Sequence, residues 1–270
     1  LFEHASTFGS LIQIPQAFAK KLPDLESKLN TALDSGDIFA QQSAQELLPL
    51  VQQAKLLAKQ YDAVIANPPY MGTKFLNKNL KEFLKKNYKG FEKDLFSTFI
   101  VRNLSLTKES GQLGFMSPFV WMFISSYEKV REKLINETTI TSLIQPEYHA
   151  FFESAFVPIC AFCISRNHLV KYNSSFIRLV DFNRQEDQPI KALEAIKNPN
   201  CGWFFNSKPD DFKKITGSPV AYWLSSLMLN TFEKHVKATT IANSRAGMTS
   251  GNNDFFTRQW FEVISKDIKI

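Results

Sequence analysis

The chain has 270 residues, of which 44% are hydrophobic and 21% are charged, and its formal net charge is +6. This composition is typical of a globular protein that buries a sizeable core in one large or two small domains. No apolar run is long enough to span a membrane, no leader-like segment suggests secretion, and three cysteines, an odd number, fit a reducing environment, so we expect a cytoplasmic protein.

The first 60 residues are predicted to be mainly helical. The spacing of apolar residues indicates helices over residues 16–33 and 37–60. Pro49 lies inside the second of these, and we expect it to break or kink the helix because proline has no amide donor.

Further along the chain, predicted strands alternate with predicted helices, which favours a mostly parallel sheet of the α/β class. The predicted strands cover residues 62–66, 112–116, 140–144, 158–165 and 176–182. The predicted helices cover residues 94–107 and 126–136. Residues 75–89 are predicted to form a helix or an irregular basic segment. After about residue 190, turn signals recur, and Ser218-Pro219 is typical of the start of a helix, here expected to reach about His235.

The first strand stops abruptly at Asn67-Pro68-Pro69-Tyr70, the most informative segment of the chain. The two prolines make the turn rigid, and α/β folds bind ligands at the carboxyl ends of their strands. The Asn67 side-chain carbonyl and the Pro68 backbone carbonyl can each accept one hydrogen from the amino group of a planar base. Tyr70 can stack on that base, and preorganised acceptors stabilise positive charge developing on the amino nitrogen. An ordinary turn is the alternative interpretation of Asn-Pro-Pro taken alone.

The segment from Tyr61 to about Asn167 resembles the second half of the catalytic domain of adenine-specific DNA methyltransferases with an Asn-Pro-Pro-Tyr motif. It is similar to PglX-type methyltransferases of BREX phage-defence systems and to the methylase part of single-chain type II restriction-modification enzymes. The matching words are Asn67-Pro-Pro-Tyr-Met-Gly-Thr-Lys-Phe-Leu-Asn-Lys, Asp94-Leu-Phe-Ser-Thr-Phe and Gly111-Gln-Leu-Gly-Phe-Met-Ser-Pro118.

A second block, residues 247–256, resembles the Gly-x-x-Thr-Gly-x-Asn-x-x-Phe segment that leads into the target-recognition region of these enzymes. Ser250 stands where threonine is usual. The resemblance implies that this block contacts DNA, with Gly247, Ser250, Gly251 and Asn253 as candidate contacts. Without the resemblance, an ordinary loop is the simpler interpretation.

The resemblance implies a partial Rossmann-like class I methyltransferase sheet with flanking helices, followed by the mixed start of a recognition region. In the resembled fold, the last strands form an antiparallel pair. The expected divisions are a helical segment over residues 1–60, the target-base half of the methyltransferase domain over residues 61–190, and a linker with the start of the recognition region over residues 191–270.

The implied reaction moves a methyl group from S-adenosylmethionine to the exocyclic amino group of a flipped adenine in double-stranded DNA. Asn67 and Pro68 would bind the amino group, Pro69 would keep the turn rigid, and Tyr70 would stack on the base. The chain's partners would be DNA, the remainder of a longer polypeptide and other defence-system proteins. Two alternatives stay open: a glutamine or RNA methyltransferase with the same turn, and a DNA-binding module without catalysis.

A Gly-rich cofactor loop, which these enzymes carry after their first strand, has no counterpart in the chain. Gly9 and Gly36 are the glycines that precede Asn67. We therefore expect the main S-adenosylmethionine loop to lie outside this chain, and the chain to be an internal piece of a larger protein that is inactive alone.

Residues 74–93 contain seven lysines and only two glutamates. The lysines are Lys74, Lys78, Lys81, Lys85, Lys86, Lys89 and Lys93. These lysines are candidates for contacts with phosphates that flank the flipped base, with Lys74, Lys78 and Lys81 foremost. The plain alternative is a solvated helix face, under which Phe75, Leu76, Leu80, Phe83 and Leu84 would be buried.

No metal or redox site is expected. Cys160 and Cys163 have suitable spacing, but they lie in an apolar segment that reads as a buried strand, in which residues three apart face opposite sides. The four histidines have no ligand spacing. Glu147-Tyr-His149 is read as a loop or as part of the wall of the base pocket.

Overall fold

A computed structural model describes residues 2–148, 158–236 and 238–242 of the chain. The contacts divide the chain into two units, Leu1–Glu233 and Lys234–Ile270. The second unit is described only over a few residues, which include one short helix. None of the helices in the described ranges is long and apolar enough to cross a bilayer.

Within the described residues, the first unit is an α/β structure with one six-stranded sheet. The strands are β1 (Tyr61–Ala66), β2 (Thr107–Pro118), β3 (Thr139–Gln145), β4 (Ile159–Ser165), β5 (Ser174–Arg178) and β6 (Phe204–Ser207). The helices are α1 (Ala5–Phe8), α2 (Gln16–Ala19), α3 (Leu22–Leu33), α4 (Ile38–Ala58), α5 (Lys78–Asn87), α6 (Leu95–Leu106), α7 (Glu128–Glu137), α8 (Asp187–Lys197), α9 (Ser226–Lys234) and α10 (Ala238–Ile241), the last in the second unit.

The strands lie in the order β1-β2-β4-β3-β5-β6. Strands β1, β2, β3 and β5 run in one direction, whereas β4 and β6 run in the other. The prediction of a mostly parallel sheet is therefore wrong in detail, because the insertion of β4 between β2 and β3 makes the sheet mixed. The expected antiparallel pair of the last strands is present as β5 and β6, and the predicted partial Rossmann-like α/β class is confirmed.

The main core lies on one face of this sheet, where α6 and α7 pack. Alternate residues of the central strands point into this core, as the two-residue period of a strand requires. Its largest fully buried side chains include Trp121, Phe96, Phe176 and Tyr222. This packing holds the carboxyl ends of the parallel strands at a common edge, which we call the carboxyl edge.

Strand β1 lies at the end of the strand order and is poorly covered by the described residues. Ile65, next to the last residue of the strand, is 87% exposed, and Asp62 and Ala63 are exposed as well. Val64 and Ala66, in contrast, pack against the main core. The strand is therefore fixed from one face, and the turn that follows it is fixed by the same face.

The first 60 residues are mainly helical, as predicted, but the positions at which the helices are interrupted differ from the prediction. The expected helix over residues 16–33 is two helices, because α2 ends at Ala19 and α3 begins at Leu22. Pro49 does not interrupt α4, although it removes one amide donor. Ala44 and Val51, on either side of the proline, are both buried with residues of α3, and this packing keeps the helix continuous.

The predicted helix start at Ser218-Pro219 is wrong. Ser218 has a φ of 48°, which is a left-handed conformation and not that of a helix N-cap. The Val220 amide donates to the Met122 carbonyl at 2.9 Å, and Val220 and Tyr222 are buried in the main core. This segment is therefore held in the core without helical structure, and the helix begins only at Ser226.

Candidate active site

The Asn67-Pro68-Pro69-Tyr70 turn lies at the carboxyl edge, directly after β1. Asn67 and Pro69 are exposed, Pro68 is buried, and Tyr70 is half-buried against the main core. The structure therefore presents the Asn67 side chain to solvent at the end of a strand, where the sequence predicted a ligand-binding group.

A hydrogen bond joins the two ends of this turn. The Tyr70 hydroxyl donates to the Asn67 side-chain oxygen Oδ1 at 2.8 Å. Burial, together with the nearby Cys160 thiol, raises the pKa of Tyr70, so that the phenol stays a protonated donor at neutral pH. A carboxamide oxygen has two lone pairs, and so Oδ1 of Asn67 keeps acceptor capacity for a second donor.

The Asp94 side chain connects the turn to helix α6, a connection that the sequence reasoning missed. Its Oδ1 accepts from the Met71 amide at 3.0 Å and from the Phe96 amide at 3.2 Å. The second bond is an N-cap, which satisfies an amide in the first turn of α6. Because Met71 directly follows Tyr70, one carboxylate contacts both the end of the Asn67–Tyr70 turn and a helix of the core.

Backbone bonds between the same two segments reinforce this connection. The Leu95 amide donates to the Met71 carbonyl at 3.1 Å, and the Thr73 amide donates to the Lys93 carbonyl at 3.2 Å. Burial raises the pKa of Asp94, and the backbone amides of Phe96, Met71 and Leu95 oppose that shift by stabilising its charged form. The sequence signal for the cap is an aspartate directly before an apolar helix, but its contact with Met71 bridges 23 residues.

The lysine segment begins with a short turn of 3-10 helix, Thr73–Phe75, and continues as α5. Lys81 is partly buried, and the other six lysines of the segment are exposed. Among the described residues, Lys78 is the one member with a carboxylate within ion-pair distance, its Nζ lying 4.0 Å from Glu82. The segment therefore offers positive charge with little internal compensation.

The underside of α5 is buried largely as predicted. Leu76, Leu80 and Leu84 are buried, and Phe83 is half-buried. Phe75 is an error in the prediction, since it is 70% exposed. It lies in the 3-10 turn ahead of α5 and not on the apolar face of that helix, and the Lys74 ammonium lies 5.1 Å from its ring centroid.

Several predicted residues cannot be placed. Gly247, Ser250, Gly251, Asn253 and His149 lie outside the described residues.

Cys160 is buried and Cys163 is exposed on the same strand, as the strand period predicted. Among the described residues, no group of three or more His, Cys, Asp or Glu side chains is placed to hold a metal ion.

Residues 10–152 match the family described as Eco57I restriction-modification methylase. The chain belongs to this family. The match includes β1, the Asn67–Tyr70 turn, the lysine segment and Asp94, so every described part of the site lies inside it. The resemblance stated from the sequence is thereby confirmed.

Two curated relatives match nearly the whole chain. The adenine-specific methyltransferase BrxX of Escherichia coli O9:H4 (strain HS) is 40% identical over 265 residues, which are 97% of this chain and 21% of that protein. The adenine-specific methyltransferase PglX of Lacticaseibacillus casei (strain Zhang) is 34% identical over 271 residues, 97% of this chain and 22% of that protein. The chain thus spans about a fifth of the length of these relatives.

Among solved structures, the methyltransferase subunit of a type I restriction-modification system from Streptococcus thermophilus matches with a TM-score of 0.46 and 16% sequence identity. The match covers 61% of this chain and 38% of that chain.

S-adenosylmethionine is the cofactor that the family implies, and the described residues do not fit its whole site. Gly9 follows α1 and Gly36 follows α3, whereas a Gly-rich cofactor loop follows a strand and lets the backbone approach the ligand. β1 is the first strand described, so neither Gly9 nor Gly36 directly follows a described strand. The described residues therefore include no Gly-rich loop of this kind.

We predict that Asp94→Ala lowers the free energy of unfolding by about 1–3 kcal/mol, because it removes a helix cap and an acceptor for a second amide. In an intact protein with the methyltransferase activity proposed below, it should also slow methyl transfer about tenfold to a hundredfold, because the turn loses its fixed position. Urea unfolding of the chain and single-turnover methyl transfer by the intact enzyme measure the two effects.

Asp94→Asn is the matched control, since asparagine keeps an Oδ1 acceptor and is an equally good N-cap. It should recover most of the stability and most of the rate. An Asp94→Ala enzyme with the native single-turnover rate would show that the turn does not depend on this side chain.

Proposed function

We propose that the protein to which this chain belongs is an adenine-specific DNA methyltransferase that acts in phage defence or restriction-modification. The observation that carries the proposal is the exposed Asn67 at the carboxyl end of β1, in a chain of the Eco57I methylase family. The Tyr70 hydroxyl donates to the Asn67 side chain, and the Met71 amide after the turn donates to Asp94. The names of the curated relatives, BrxX and PglX, support the same activity.

The proposed role of the turn is to hold the exocyclic amino group of a flipped adenine. That nitrogen is a poor nucleophile because its lone pair is delocalised into the ring. The Asn67 Oδ1 and the Pro68 carbonyl would each accept one amino hydrogen, which favours a pyramidal nitrogen with a localised lone pair. The same acceptors would stabilise positive charge on the nitrogen as it is methylated, and they need no rearrangement because the prolines keep the turn rigid.

Tyr70 has two proposed roles in this arrangement. Its ring would stack on the adenine, a contact worth about 1–3 kcal/mol. Its hydroxyl, through the bond to Oδ1, would keep the Asn67 carboxamide turned so that oxygen and not nitrogen faces the incoming amino group. The methyl donor would be S-adenosylmethionine, bound mainly by other parts of the protein.

The lysine segment is the proposed contact with the DNA backbone. Lys74 lies in the 3-10 turn that follows the Asn67–Tyr70 turn. The Thr73 amide of this 3-10 turn donates to the carbonyl of Lys93, the residue before Asp94, and Lys78 and Lys81 follow in α5. Extrusion of a base distorts the backbone on both sides of it, and exposed ammonium groups next to the turn would stabilise the displaced phosphates. The block around Gly247, Ser250, Gly251 and Asn253 is proposed as a second contact from its sequence alone.

In the intact enzyme, we predict that Asn67→Ala lowers the rate of methyl transfer at least about a hundredfold, since the loss of one preorganised acceptor typically costs 10²–10³ in rate. DNA affinity should stay within a few-fold of native, because the phosphate contacts are unchanged. Tritiated-methyl transfer to mixed DNA, with release factors and RNA as parallel substrates, tests both the residue and the substrate class. Near-native turnover by Asn67→Ala, or methylation of RNA or protein in place of DNA, would reject the proposal.

The two roles of Tyr70 can be separated with two variants. Tyr70→Ala should weaken capture of the flipped base by about 1–3 kcal/mol, which appears mainly as a higher KM, because stacking is lost. Tyr70→Phe keeps the ring but not the hydroxyl, so it should keep KM near native and lower kcat by a smaller factor. Equal kinetics for the two variants would show that the hydroxyl-to-Asn67 bond has no effect separate from stacking.

We predict that the 270-residue chain alone binds S-adenosylmethionine very weakly and has no methyltransferase activity, because it lacks a Gly-rich loop for the cofactor. Isothermal titration with the cofactor and a tritiated-methyl assay measure the two properties. Micromolar binding, or turnover that Asn67→Ala abolishes, would contradict this prediction.

A further inference from the structure

Four aromatic side chains form a continuous row that ends at an arginine. Ring centroids are 5.4 Å apart for Tyr148 and Phe119, 6.2 Å for Phe119 and Phe123, and 5.7 Å for Phe123 and Trp223. The Arg178 guanidinium carbon lies 6.0 Å from the centroid of the Trp223 ring. We call these five residues the edge aromatic row.

The row lies at the carboxyl edge, as the active turn does. Phe119 directly follows β2, Tyr148 comes shortly after β3, and Arg178 is the last residue of β5. These three strands run in the same direction as β1, so their carboxyl ends lie on the same side of the sheet as Asn67. The row therefore extends along the edge on which the target base is proposed to bind.

Two members of the row, Trp223 and Tyr148, are partly exposed, although its middle is part of the core. Trp223 is 42% exposed and Tyr148 is 37% exposed, whereas Phe119 is 8% exposed. An aromatic ring that is half-exposed while its neighbours are packed offers a face or an edge to a planar ligand, and its buried neighbours fix its position.

Trp223 is held rigidly from below. The preceding residue, Tyr222, is buried, stacks on Phe176 with centroids 4.7 Å apart, and donates its hydroxyl to Gln145 Oε1 at 2.7 Å. The Tyr222 and Trp223 rings meet edge-to-face at 5.1 Å. Little conformational entropy is therefore left to lose when a ligand stacks on the indole.

Arg178, beside Trp223, is in an ion pair with Asp181. Arg178 donates from Nη1 to Asp181 at 2.7 Å, and a guanidinium has further N–H groups with which to donate. Since arginine beside an aromatic ring is a recurrent partner of stacked bases and of their phosphates, the pair Trp223 and Arg178 resembles a nucleotide-stacking platform in its chemistry.

We propose that the edge aromatic row binds an unpaired nucleobase of the DNA strand, on the same edge of the sheet as the base held at Asn67. The inference rests on the proposed function, and it extends the site from one flipped adenine to a second base of the opened strand. A base of an opened strand loses a stacking partner. A rigid aromatic surface at the same edge replaces that partner, and it does so without sequence preference because every base has a π-face.

The test measures binding of a short fluorescent single-stranded oligonucleotide to the 270-residue chain by anisotropy, without cofactor. A second oligonucleotide of the same length with abasic sugars reports phosphate contacts alone. Trp223→Ala should weaken binding of the base-bearing oligonucleotide about tenfold and leave that of the abasic one unchanged. Trp223→Phe keeps a stacking ring and should stay within about threefold of native. Circular dichroism and thermal unfolding confirm that each variant is folded.

Phe39→Ala is the matched control, because Phe39 is an 81% exposed aromatic residue in α4 that does not belong to the row. It should bind both oligonucleotides as the native chain does. Tyr148→Ala, at the other end of the row, should weaken binding of the base-bearing oligonucleotide alone. The proposal is overturned if Trp223→Ala binds that oligonucleotide as tightly as the native chain does. It is also overturned if the variant loses affinity equally for both oligonucleotides, because the ring would then not stack on a base.

This measurement is independent of the proposed reaction. An intact enzyme that methylates no DNA would count against the proposed function and would not alter the stacking result, since no methyl donor is present. Conversely, a Trp223→Ala chain with native oligonucleotide binding, together with DNA methylation that Asn67→Ala abolishes, would remove the stacking proposal and leave the function intact.

Discussion

The contact of one carboxylate with two backbone amides connects the Asn67–Tyr70 turn to the core. Asp94 accepts from Met71, directly after the turn, and from Phe96, in the first turn of α6. Helix α6 is in turn fixed by Phe96, Ile100 and Leu104, which are all buried in the main core. Because the prolines make the turn rigid but do not orient it, the core positions Asn67 through Asp94.

Two buried arginines support the same region without any carboxylate in hydrogen-bond contact with them. The Arg102 guanidinium donates to the Ser10 carbonyl at 2.7 Å and to the Leu57 carbonyl at 3.0 Å, which links α6 to the end of α4 just before β1. Arg131 donates to the carbonyls of Trp121, Ile124 and Gly217, each at 2.8 Å. Burial lowers the pKa of both guanidinium groups, yet each stays charged because it donates to carbonyls and, in Arg102, also to the Ser105 hydroxyl. The Arg131 bonds join the segment that carries Phe119 and Phe123 to the segment that precedes Trp223.

The parts of the site that the sequence predicted are those specified by local patterns. An apolar strand followed by two prolines is local, and β1 with the Asn67 turn was predicted within a residue. The Asp94 contact to Met71 is not local, and no periodicity indicates it. Ser218-Pro219 failed for the opposite reason: a local helix signal was outweighed when Val220 and Tyr222 were buried in the core.

The Tyr70 hydroxyl makes two functions of the site interdependent. The ring proposed to stack on the adenine is bonded to the oxygen proposed to hold its amino group, at 2.8 Å. Under the proposed function, a base that shifts the ring would also move the carboxamide, so that capture of the base and alignment of its nitrogen would be one event. Selection of an adenine would then depend on a correct fit at Asn67, while affinity for the opened strand would come from stacking and phosphate contacts that are indifferent to sequence.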